Sequence, residues 1–355
     1  MDASQAERTA SLMTCRLGIG FLGAGQATQA IHLPVLASIR DRFEIRWVMD
    51  VDSAVAGVVA GLVDAKAATD IAPVLDDPDV AIVVICSPST LHAEQILATC
   101  AAGKKAILCE KPLAWNREEK RAIEEALRKY GVALFVGTMH AYDPACRAGL
   151  KEWFELGETA SLVSSSICLP ANSLFIDQST EVFMPSLGRE PATDTPEYRR
   201  RMLKSALLGL AVHDIPLIRD FYSQVGALHD VHGVLPYGYA LHASHKGTRM
   251  TMTAFMPGQW PAHWRLAAIG RNHEFKVSFT PSYVLGGSSR VRLIGRNFER
   301  AYHFEENGYE VLWRKIHDVV DGGMPQPITN DTVLDDLSFA LDLVEISQTL
   351  MEKRS

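Results

Sequence analysis

Short apolar runs alternate with amphipathic helical stretches across residues 16–136, and this alternation constrains the fold more than any other feature. The apolar runs are too continuous for half-exposed antiparallel strands, so they predict strands buried on both faces. These runs are RLGIGFL, FEIRWVM, AIVVIC, KAILC and VALFV. Helices are predicted between them at 27–39, 54–62, 90–102 and 117–130. Strands that alternate with helices predict right-handed βαβ units and a doubly wound parallel sheet.

A glycine turn follows the first predicted strand directly and leads into a helix. It reads Gly23-Ala24-Gly25-Gln26-Ala27, with Thr28 where a third glycine is usual. In a dinucleotide fold the first glycine makes the tight turn, and the second lets the backbone approach a pyrophosphate at the helix N-terminus. Because strand, turn and helix occur in the required order, the segment predicts a Rossmann dinucleotide-binding domain. Its predicted cofactor contacts are Gly23, Gly25, Gln26 and Ala27.

Asp50 stands at the end of the second predicted strand. A carboxylate there can accept hydrogen bonds from the adenosine ribose and repel the extra phosphate of NADP. This favours NAD as the cofactor, with NADP as the alternative. Asp52 competes for the same role, and the structural alternative is that Asp50 caps the next helix.

The pattern changes after about residue 143, where strand-length pieces follow one another with little helix between them. They predict a large, mostly antiparallel, open-faced sheet. The pieces are LVSSSICL, DVHGVLPYG, ALHASHKG, RMTMTAFM, RLAAIG, FKVSFT and RVRLIG. A polar loop is expected at 172–196, a helix at 197–222 and a helical tail at 331–353. The predicted fold class is therefore α/β, with a Rossmann domain at 14–140 and an α+β domain at 141–355 for substrate binding and oligomerisation.

Two segments at the ends of the runs AIVVIC and KAILC carry a family resemblance. They are CSPSTLH at 86–92 and CEKPLA at 109–114. With GFLGAGQATQAIHLPVL and, more loosely, YDPACRAGLKEWFELGE, they cover the first domain and its junction to the second. On these segments the chain resembles the Gfo/Idh/MocA family of oxidoreductases, which includes glucose–fructose oxidoreductase and inositol dehydrogenase. The resemblance adds Ser87, Pro88, His92, Glu110 and Lys111 to the expected cofactor contacts.

The resemblance also implies that Lys111 contacts both the substrate and the nicotinamide. An ammonium at the carboxyl end of a parallel sheet can polarise a carbonyl oxygen or hydrogen-bond a hydroxyl as hydride moves. Burial and a positive nicotinamide ring are expected to lower the pKa of Lys111 and suit it to proton transfer. Glu110 is expected to orient its surroundings or the cofactor amide, and the Lys111–Pro112 bond is a candidate for the cis form.

Many family members place an Asp and a His at i and i+4 on one helix face, opposite the nicotinamide. Here His213 matches the histidine, and Gly209 stands where the aspartate is expected. Three explanations remain open: His213 works with Lys111 alone, another group substitutes, or Gly209 makes room for a bulkier substrate. The candidates for a substituting group are Asp177, Glu181, Asp194 and Tyr198.

Other polar and aromatic residues are weaker candidates for the substrate site. Asp214 is expected to orient or solvate nearby groups, and it is included with His140 and Tyr142 as a possible pocket residue. For Trp260 and Trp264, three roles are open: stacking on a sugar-like ring, packing in the core, or an oligomer contact. Histidines spaced i, i+3 in predicted strands point to opposite faces, so no metal site is predicted.

The resemblance implies an NAD(P)-dependent oxidoreductase that transfers hydride between nicotinamide and a hydroxyl or ketone carbon of a sugar, aminosugar or cyclitol. The catalytic residues would be Lys111 and His213. The alternatives are elimination or glycoside cleavage through transient oxidation, and a non-catalytic nucleotide-sensing regulator of the same fold.

Bulk properties narrow the partners and the compartment. The net charge of −7 and the absence of a basic block argue against nucleic acid. No apolar run has the length of a membrane helix or signal peptide, and the scattered cysteines suit a reducing compartment, so a cytoplasmic location is predicted. The family resemblance implies dimers or tetramers formed through the open face of the second sheet. If that sheet is apolar on both faces, it would otherwise leave a large exposed patch, so a homodimer or homotetramer is expected.

Overall fold

The computed structural model describes residues 16–184, 194–258 and 261–353, which form two sheets with helices packed on them. The strands are β1 Leu17–Leu22, β2 Phe43–Met49, β3 Lys66–Ala68, β4 Val80–Ile85, β5 Ala106–Cys109, β6 Ala133–Val136, β7 Leu162–Cys168, β8 Ala227–Gly233, β9 Tyr237–His245, β10 Thr248–Met256, β11 His263–Ile269, β12 His273–Ser278, β13 Arg290–Gly295 and β14 Glu299–Tyr302. The helices are α1 Leu33–Ser38, α2 Ser53–Leu62, α3 Ala72–Asp76, α4 His92–Ala101, α5 Arg117–Tyr130, α6 Pro144–Glu155, α7 Ser173–Ser179, α8 Pro196–Ala206, α9 Val212–Phe221, α10 Gly308–Val320 and α11 Asn330–Glu352.

The first sheet has six parallel strands in the order β3-β2-β1-β4-β5-β6. Every residue of β1 is buried, as are most residues of β4, β5 and β6. The predicted doubly wound sheet is confirmed. The chain reverses its direction of strand addition between β1 and β4, so a crevice forms at the carboxyl ends of these two strands.

The second sheet has eight strands in the order β14-β13-β12-β11-β7-β10-β9-β8, and only the β7–β10 pair is parallel. Its inner face is covered by α6, α8, α9 and α11. The predicted sheet is confirmed, but the expectation that it is apolar on both faces is wrong. Its strands alternate apolar and polar residues, which turns the polar ones outward. The outward residues include Ser164, Ser166, Arg265, Lys276, Arg290 and Arg292.

Several elements were not predicted. The short strand β3 carries no apolar run, and α3, α6, α10 and β14 lie in segments that were assigned no structure. The expected loop at 172–196 contains α7, and its residues 185–193 lie outside the described part of the chain. None of the helices in the described part is long and apolar enough to cross a membrane.

The helix predicted at 197–222 is present, but it is interrupted. α8 continues into a π-helical segment, Leu207–Ala211, before α9 begins. Another π-helical turn, Thr28–His32, precedes α1 after the glycine turn. Such widened turns disturb the regular ladder of backbone hydrogen bonds and are frequent at functional sites. Both of them lie at the crevice between the two sheets.

Candidate active site

A cavity of about 280 Å³ lies between the carboxyl edge of the first sheet and the π-helical segment Leu207–Ala211. It contains residues from both halves of the chain. The lining residues are Ala27, Ile31, Cys86, Ser87, Ser89, His92, Glu110, Lys111, Leu169, Asn172, Gly209, Leu210, His213, Met256, Trp264, Ser282, Tyr283 and Tyr309. The fold thus brings the glycine turn, both family segments and His213 together, although they are far apart in the sequence.

The glycine turn has the geometry that a dinucleotide requires. Gly23 has φ +98°, and a Cβ atom there would lie 2.5 Å from the backbone nitrogen of Ser87. Only glycine satisfies both conditions. At Gly25 a Cβ would meet only the Met184 methyl, at 4.0 Å, so backbone is accessible above the turn. The Thr28 hydroxyl donates to Gly23 O at 2.6 Å, which gives the substituted third position a structural role.

Asp50 and Asp52 have different partners. The Asp52 carboxylate accepts from the backbone nitrogens of Ala54 and Val55 and is the N-cap of α2. The alternative in which Asp50 caps that helix is therefore wrong. Asp50 accepts from Ala24 N at 2.9 Å and from Asp52 N at 3.0 Å, so it is held against the glycine turn at the end of β2.

Gln29 was not singled out in the sequence, yet it ties a distant segment to the glycine turn. Its amide nitrogen donates to Ala24 O at 2.6 Å and to Phe183 O at 3.0 Å. Its amide oxygen accepts from Phe183 N at 2.9 Å. Only the tertiary fold reveals this role, because Gln29 and Phe183 are 154 positions apart.

The two segments that carry the family resemblance are joined by His92. One ring nitrogen of His92 lies 3.0 Å from Ser87 O and the other lies 2.8 Å from Pro112 O. The Ser87 hydroxyl donates to Gln95 at 2.6 Å. These polar atoms already have protein partners, so His92 and Ser87 hold the cavity wall in shape. Pro88 is exposed, as is Gln26 beside the glycine turn.

Lys111 follows β5 in a cis Lys111–Pro112 peptide, as predicted. Its Nζ lies 3.4 Å from Gly209 O in the opposite wall. Burial lowers the pKa of Lys111, and the negative charge of Glu110 opposes this only in part. Burial by itself would raise the pKa of Glu110, but the hydrogen bond and charge of His32, with Lys111 and His92, leave that pKa lowered. The carboxylate therefore stays ionised beside an amine that loses its proton more easily than an exposed lysine.

The space beside Gly209 is filled by Tyr237 from β9. A Cβ at Gly209 would lie 2.2 Å from the Tyr237 hydroxyl oxygen. This hydroxyl donates to Ser205 O at 2.7 Å. Two carbonyls of the α8–π segment thus accept from side chains, Ser205 O from Tyr237 and Gly209 O from Lys111. The explanation in which Gly209 opens room for a bulkier substrate is wrong at this position, because a phenol occupies that room.

The candidates for a substituting carboxylate or hydroxyl do not line the cavity. Asp177 and Glu181 are exposed. Asp194 forms a two-point ion pair with Arg199 at 2.6 and 2.7 Å. Tyr198 lies on α8 in a neighbouring groove. None of these four groups replaces the missing aspartate in this structure.

His213 is buried, and its Nδ1 has no hydrogen-bond partner among the described residues. Burial, then the charges of Lys111 and His140, lower the pKa of His213 well below its usual value, so the ring is neutral. The ring meets Trp264 edge-on, with centroids 5.3 Å apart. The indole nitrogen of Trp264 donates to Asp214 at 2.8 Å.

The three residues expected in the substrate pocket lie elsewhere. Asp214 is fully buried and accepts from Trp264, Ser165 and His140. The His140 ring is stacked on Phe279 at 3.8 Å. Tyr142 lines a second cavity of about 40 Å³, which Lys111 also lines. None of the three lines the larger cavity. His140 Nε2 and the Tyr142 hydroxyl are buried without a hydrogen-bond partner among the described residues, and the contact of the three residues with a substrate stays a prediction. Trp264 is a buried wall residue, whereas Trp260 lies outside the described part of the chain.

Sequence reasoning missed several residues of the cavity, among them Asn172, Tyr283 and Tyr309. It also missed Tyr237, which packs against Gly209 behind the cavity wall. Tyr309 is in the first turn of α10, which begins at an Asn307–Glu310 capping box. That box predicts a helix start but does not predict that the helix reaches the first sheet. Within the described residues, no three His, Cys, Asp or Glu side chains are arranged to hold a metal ion.

Residues 17–138 match the model of the oxidoreductase family with an NAD-binding Rossmann fold, the Gfo/Idh/MocA family. Over these residues the chain is therefore similar to the family that its glycine turn and EKP segment resemble. The match also confirms that the first domain is of a nicotinamide dinucleotide-binding type.

Individual proteins resemble the chain over different lengths. Inositol 2-dehydrogenase 3 from Saccharopolyspora erythraea is 38% identical over 151 residues, 42% of either chain. The oxidoreductase YrbE from Bacillus subtilis is 30% identical over 180 residues, 48% of this chain and 51% of that protein. The matched region thus spans about half of the length of these relatives or less.

A likeness in structure covers nearly the whole chain. UDP-N-acetylglucosamine 3-dehydrogenase from Acidithiobacillus ferrooxidans superposes with a TM-score of 0.73 over 95% of this chain and 99% of that chain, at 16% identity. At this identity the likeness concerns the fold alone. Both halves of the architecture are therefore shared beyond the region that the family model matches.

Proposed function

We propose that this protein is an NAD(H)-dependent oxidoreductase that interconverts a hydroxyl and a ketone on a sugar, aminosugar or cyclitol. The observation that carries the proposal is the position of Lys111. Its buried amine lines a cavity at the carboxyl edge of a nucleotide-binding sheet and faces Gly209 O and the neighbourhood of His213. The similarity to inositol 2-dehydrogenase 3 supports a polyol substrate.

The first βα turn fits a dinucleotide. Gly25 leaves the backbone open, and the helix that follows directs its N–H groups towards the turn. Asp50 is oriented by Ala24 N and Asp52 N beside this turn, which suits recognition of ribose hydroxyls and disfavours an added phosphate. NAD is therefore proposed as the cofactor in preference to NADP. When bound, the nicotinamide supplies the acceptor or donor of hydride.

The side chains of the cavity manage the hydroxyl proton. With its lowered pKa, Lys111 in the amine form accepts this proton during oxidation, and the ammonium returns it during reduction. Gly209 O accepts from the Lys111 amine and holds it in place. The ionised Glu110 carboxylate places a negative charge beside the lysine. The neutral ring of His213 offers an unpartnered Nδ1 to a substrate hydroxyl. In this proposal Lys111 and His213 act as a pair without the family's aspartate.

Replacing Lys111 with alanine tests the proposal. Wild-type protein with NAD and a panel of inositols, sugars and aminosugars is expected to form NADH, measured by absorbance. Lys111→Ala should lower kcat about 10²–10⁴-fold, the usual contribution of a positioned acid or base. NADH binding, followed by fluorescence, should remain within a few fold.

Lys105→Ala, a substitution outside the cavity lining in the same half of the chain, is the matched control and should retain activity. Binding of NADH without turnover of any hydroxyl or ketone in the panel would contradict the proposal. Equal activity of Lys111→Ala and wild type would contradict the role of the lysine.

A further inference from the structure

A short segment of the second half of the chain connects the candidate cavity with the glycine turn. It comprises residues 180–184, Thr-Glu-Val-Phe-Met, and we call it the crossing segment. The chain that leads to it leaves the cavity wall at Asn172 and forms α7. Phe175 and Ile176 are buried and anchor this helix. The crossing segment thus starts from an anchored helix beside the cavity and ends at the predicted dinucleotide turn.

Gln29 holds the crossing segment against the glycine turn. Its buried amide nitrogen donates both to Ala24 O, at 2.6 Å, and to Phe183 O, at 3.0 Å. Its amide oxygen accepts from Phe183 N at 2.9 Å. One side-chain nitrogen therefore lies between the backbone of the turn and the backbone of the segment. Because an unpaired buried amide costs free energy, these hydrogen bonds fix the two backbones relative to each other.

The crossing segment presents two apolar side chains at this position. Phe183 is 48% exposed and Met184 is 39% exposed. The Met184 methyl lies 4.0 Å from the position of a Cβ at Gly25, the residue at which the backbone approaches the pyrophosphate of a dinucleotide. Methionine has a flexible, unbranched side chain, so it can adapt to a ligand beside it. A dinucleotide bound on the turn therefore lies next to the crossing segment.

The contact that the segment offers is apolar rather than ionic. Residues 179–184 include no Lys or Arg, so the segment provides no cation for a phosphate. Its contribution is to bury apolar surface and to exclude water from the pyrophosphate. Hydrogen bonds from the backbone of the turn to the phosphate oxygens are stronger where water is excluded. A cover of this kind acts mainly on the rate of dissociation.

We propose that Phe183 and Met184 are cofactor-binding residues that cover the pyrophosphate of the bound dinucleotide, and that Gln29 is the positioning residue that holds them there. This inference rests on the dinucleotide of the proposed function. The cofactor then dissociates slowly, because the crossing segment must move away from the glycine turn before the pyrophosphate can leave.

The rate of NADH dissociation tests the inference. Protein loaded with NADH is mixed with excess NAD⁺, and the loss of NADH fluorescence gives the rate. Gln29→Ala should release NADH at least about tenfold faster than wild type, since the segment loses its hydrogen bonds to the turn. Phe183→Ala with Met184→Ala should have an effect of similar size, because apolar contact area is lost. Both of these side chains are exposed, so this variant should fold even if Gln29→Ala does not.

A combined variant separates positioning from a general loss of structure. If Gln29 acts through the crossing segment, adding Gln29→Ala to the Phe183→Ala, Met184→Ala variant should increase the rate by no more than about twofold, whereas independent effects would multiply. Leu156→Ala is the matched control for Met184, because Leu156 is also apolar and 39% exposed but lies at the end of α6. It should release NADH at the wild-type rate.

Hydrogen exchange gives a second readout. The peptide that contains residues 180–184 should take up deuterium more slowly when NADH is bound to wild type, and Gln29→Ala should lose this protection. Thermal melting shows whether each variant is folded. Unchanged dissociation rates in the variants would overturn the inference, because the segment would not contact the cofactor. Tighter NADH binding in the variants would also overturn it, because the segment would then occupy the place of the pyrophosphate.

Neither measurement needs turnover, so the inference and the proposed activity can fail separately. Wild-type protein that binds no NADH would contradict both the cofactor of the proposed function and the role of the segment. NADH binding that the variants leave unchanged would contradict only the role of the crossing segment.

Discussion

Gly23 in the glycine turn and Gly209 in the π-helical segment both exclude a side chain, but different neighbours exclude it at each position. At Gly23 a Cβ would collide with the backbone of Cys86 and Ser87, and φ is +98°. At Gly209 the backbone is helical, and a Cβ would collide with one atom, the hydroxyl oxygen of Tyr237, at 2.2 Å. The ring carbon that carries this hydroxyl is 3.5 Å away, an ordinary contact distance.

The difference separates two ways of shaping a site. The wall of the first sheet depends on backbone geometry, which no neighbouring side chain can change. The wall at the π-helical segment depends on which side chain fills a space, so a second substitution can compensate for the first. The glycine turn at Gly23 should therefore tolerate few substitutions. The wall at Gly209 can be changed by a pair of substitutions that compensate for each other.

Gly23→Ala should have the largest effect. The substitution places a Cβ 2.5 Å from Ser87 N and requires a left-handed backbone from alanine, so it should cost several kcal/mol of unfolding free energy. Urea denaturation measures the loss. Gly25→Ala is the matched control, because its Cβ meets only Met184 at 4.0 Å. It should keep the stability of wild type while weakening NADH binding, since the added methyl lies where the backbone approaches the pyrophosphate. Equal stability of the two variants would contradict this assignment.

Gly209→Ala should cost about 1–3 kcal/mol of unfolding free energy, because the Tyr237 phenol is rigid and held by Ser205 O. Tyr237→Phe by itself should cost about 1 kcal/mol through the lost hydrogen bond. The double variant should lose less unfolding free energy than the two single variants lose together, because the colliding oxygen is gone. The difference should be at least about 1 kcal/mol. Denaturation of all four proteins gives this coupling, and strict additivity would show that the two residues do not share the space.

His213→Asn should change the pH dependence of stability, a smaller effect. Burial lowers the pKa of His213 in the folded protein, whereas the unfolded chain titrates near pH 6.5. Below about pH 6.5 the unfolded state therefore binds more protons than the folded state. The contribution of His213 to stability is fully present above that pH and is lost as the pH falls. This group contributes on the order of 1 kcal/mol per pH unit there.

Thermal melting from pH 7.5 to 5 should show a shallower decline for His213→Asn than for wild type. His92 is buried with a lowered pKa and contributes in the same direction, so the curve should not become flat. An unchanged slope in His213→Asn would mean that this histidine is not held neutral in the fold.

Part of the site could be predicted because its signals are local. The apolar runs that became β1, β4, β5 and β6 predicted the parallel sheet, and the glycines and EKP segment follow these strands directly. The orientation of Asp50 and the capping role of Asp52 needed the structure, because both residues follow the same strand. The outer face of the second sheet is polar because, in a run such as RMTMTAFM, the buried Met250, Met252 and Ala254 turn to one side and Thr251 and Thr253 to the other.

Sequence patterns predicted the fold class, the family resemblance, the nucleotide-binding turn and the lysine at the end of β5. Each of these depends on residues that are close along the chain or on the period of a strand or helix. The folded structure was needed to show what stands beside Gly209 and which polar groups of the described residues have no partner. Tyr237 is 28 residues from Gly209 along the chain, and no period or spacing predicts that the phenol of a strand fills the space left by a helix glycine. Packing between distant elements determines such contacts, so the glycine that suggested an open site belongs to a wall filled by another side chain.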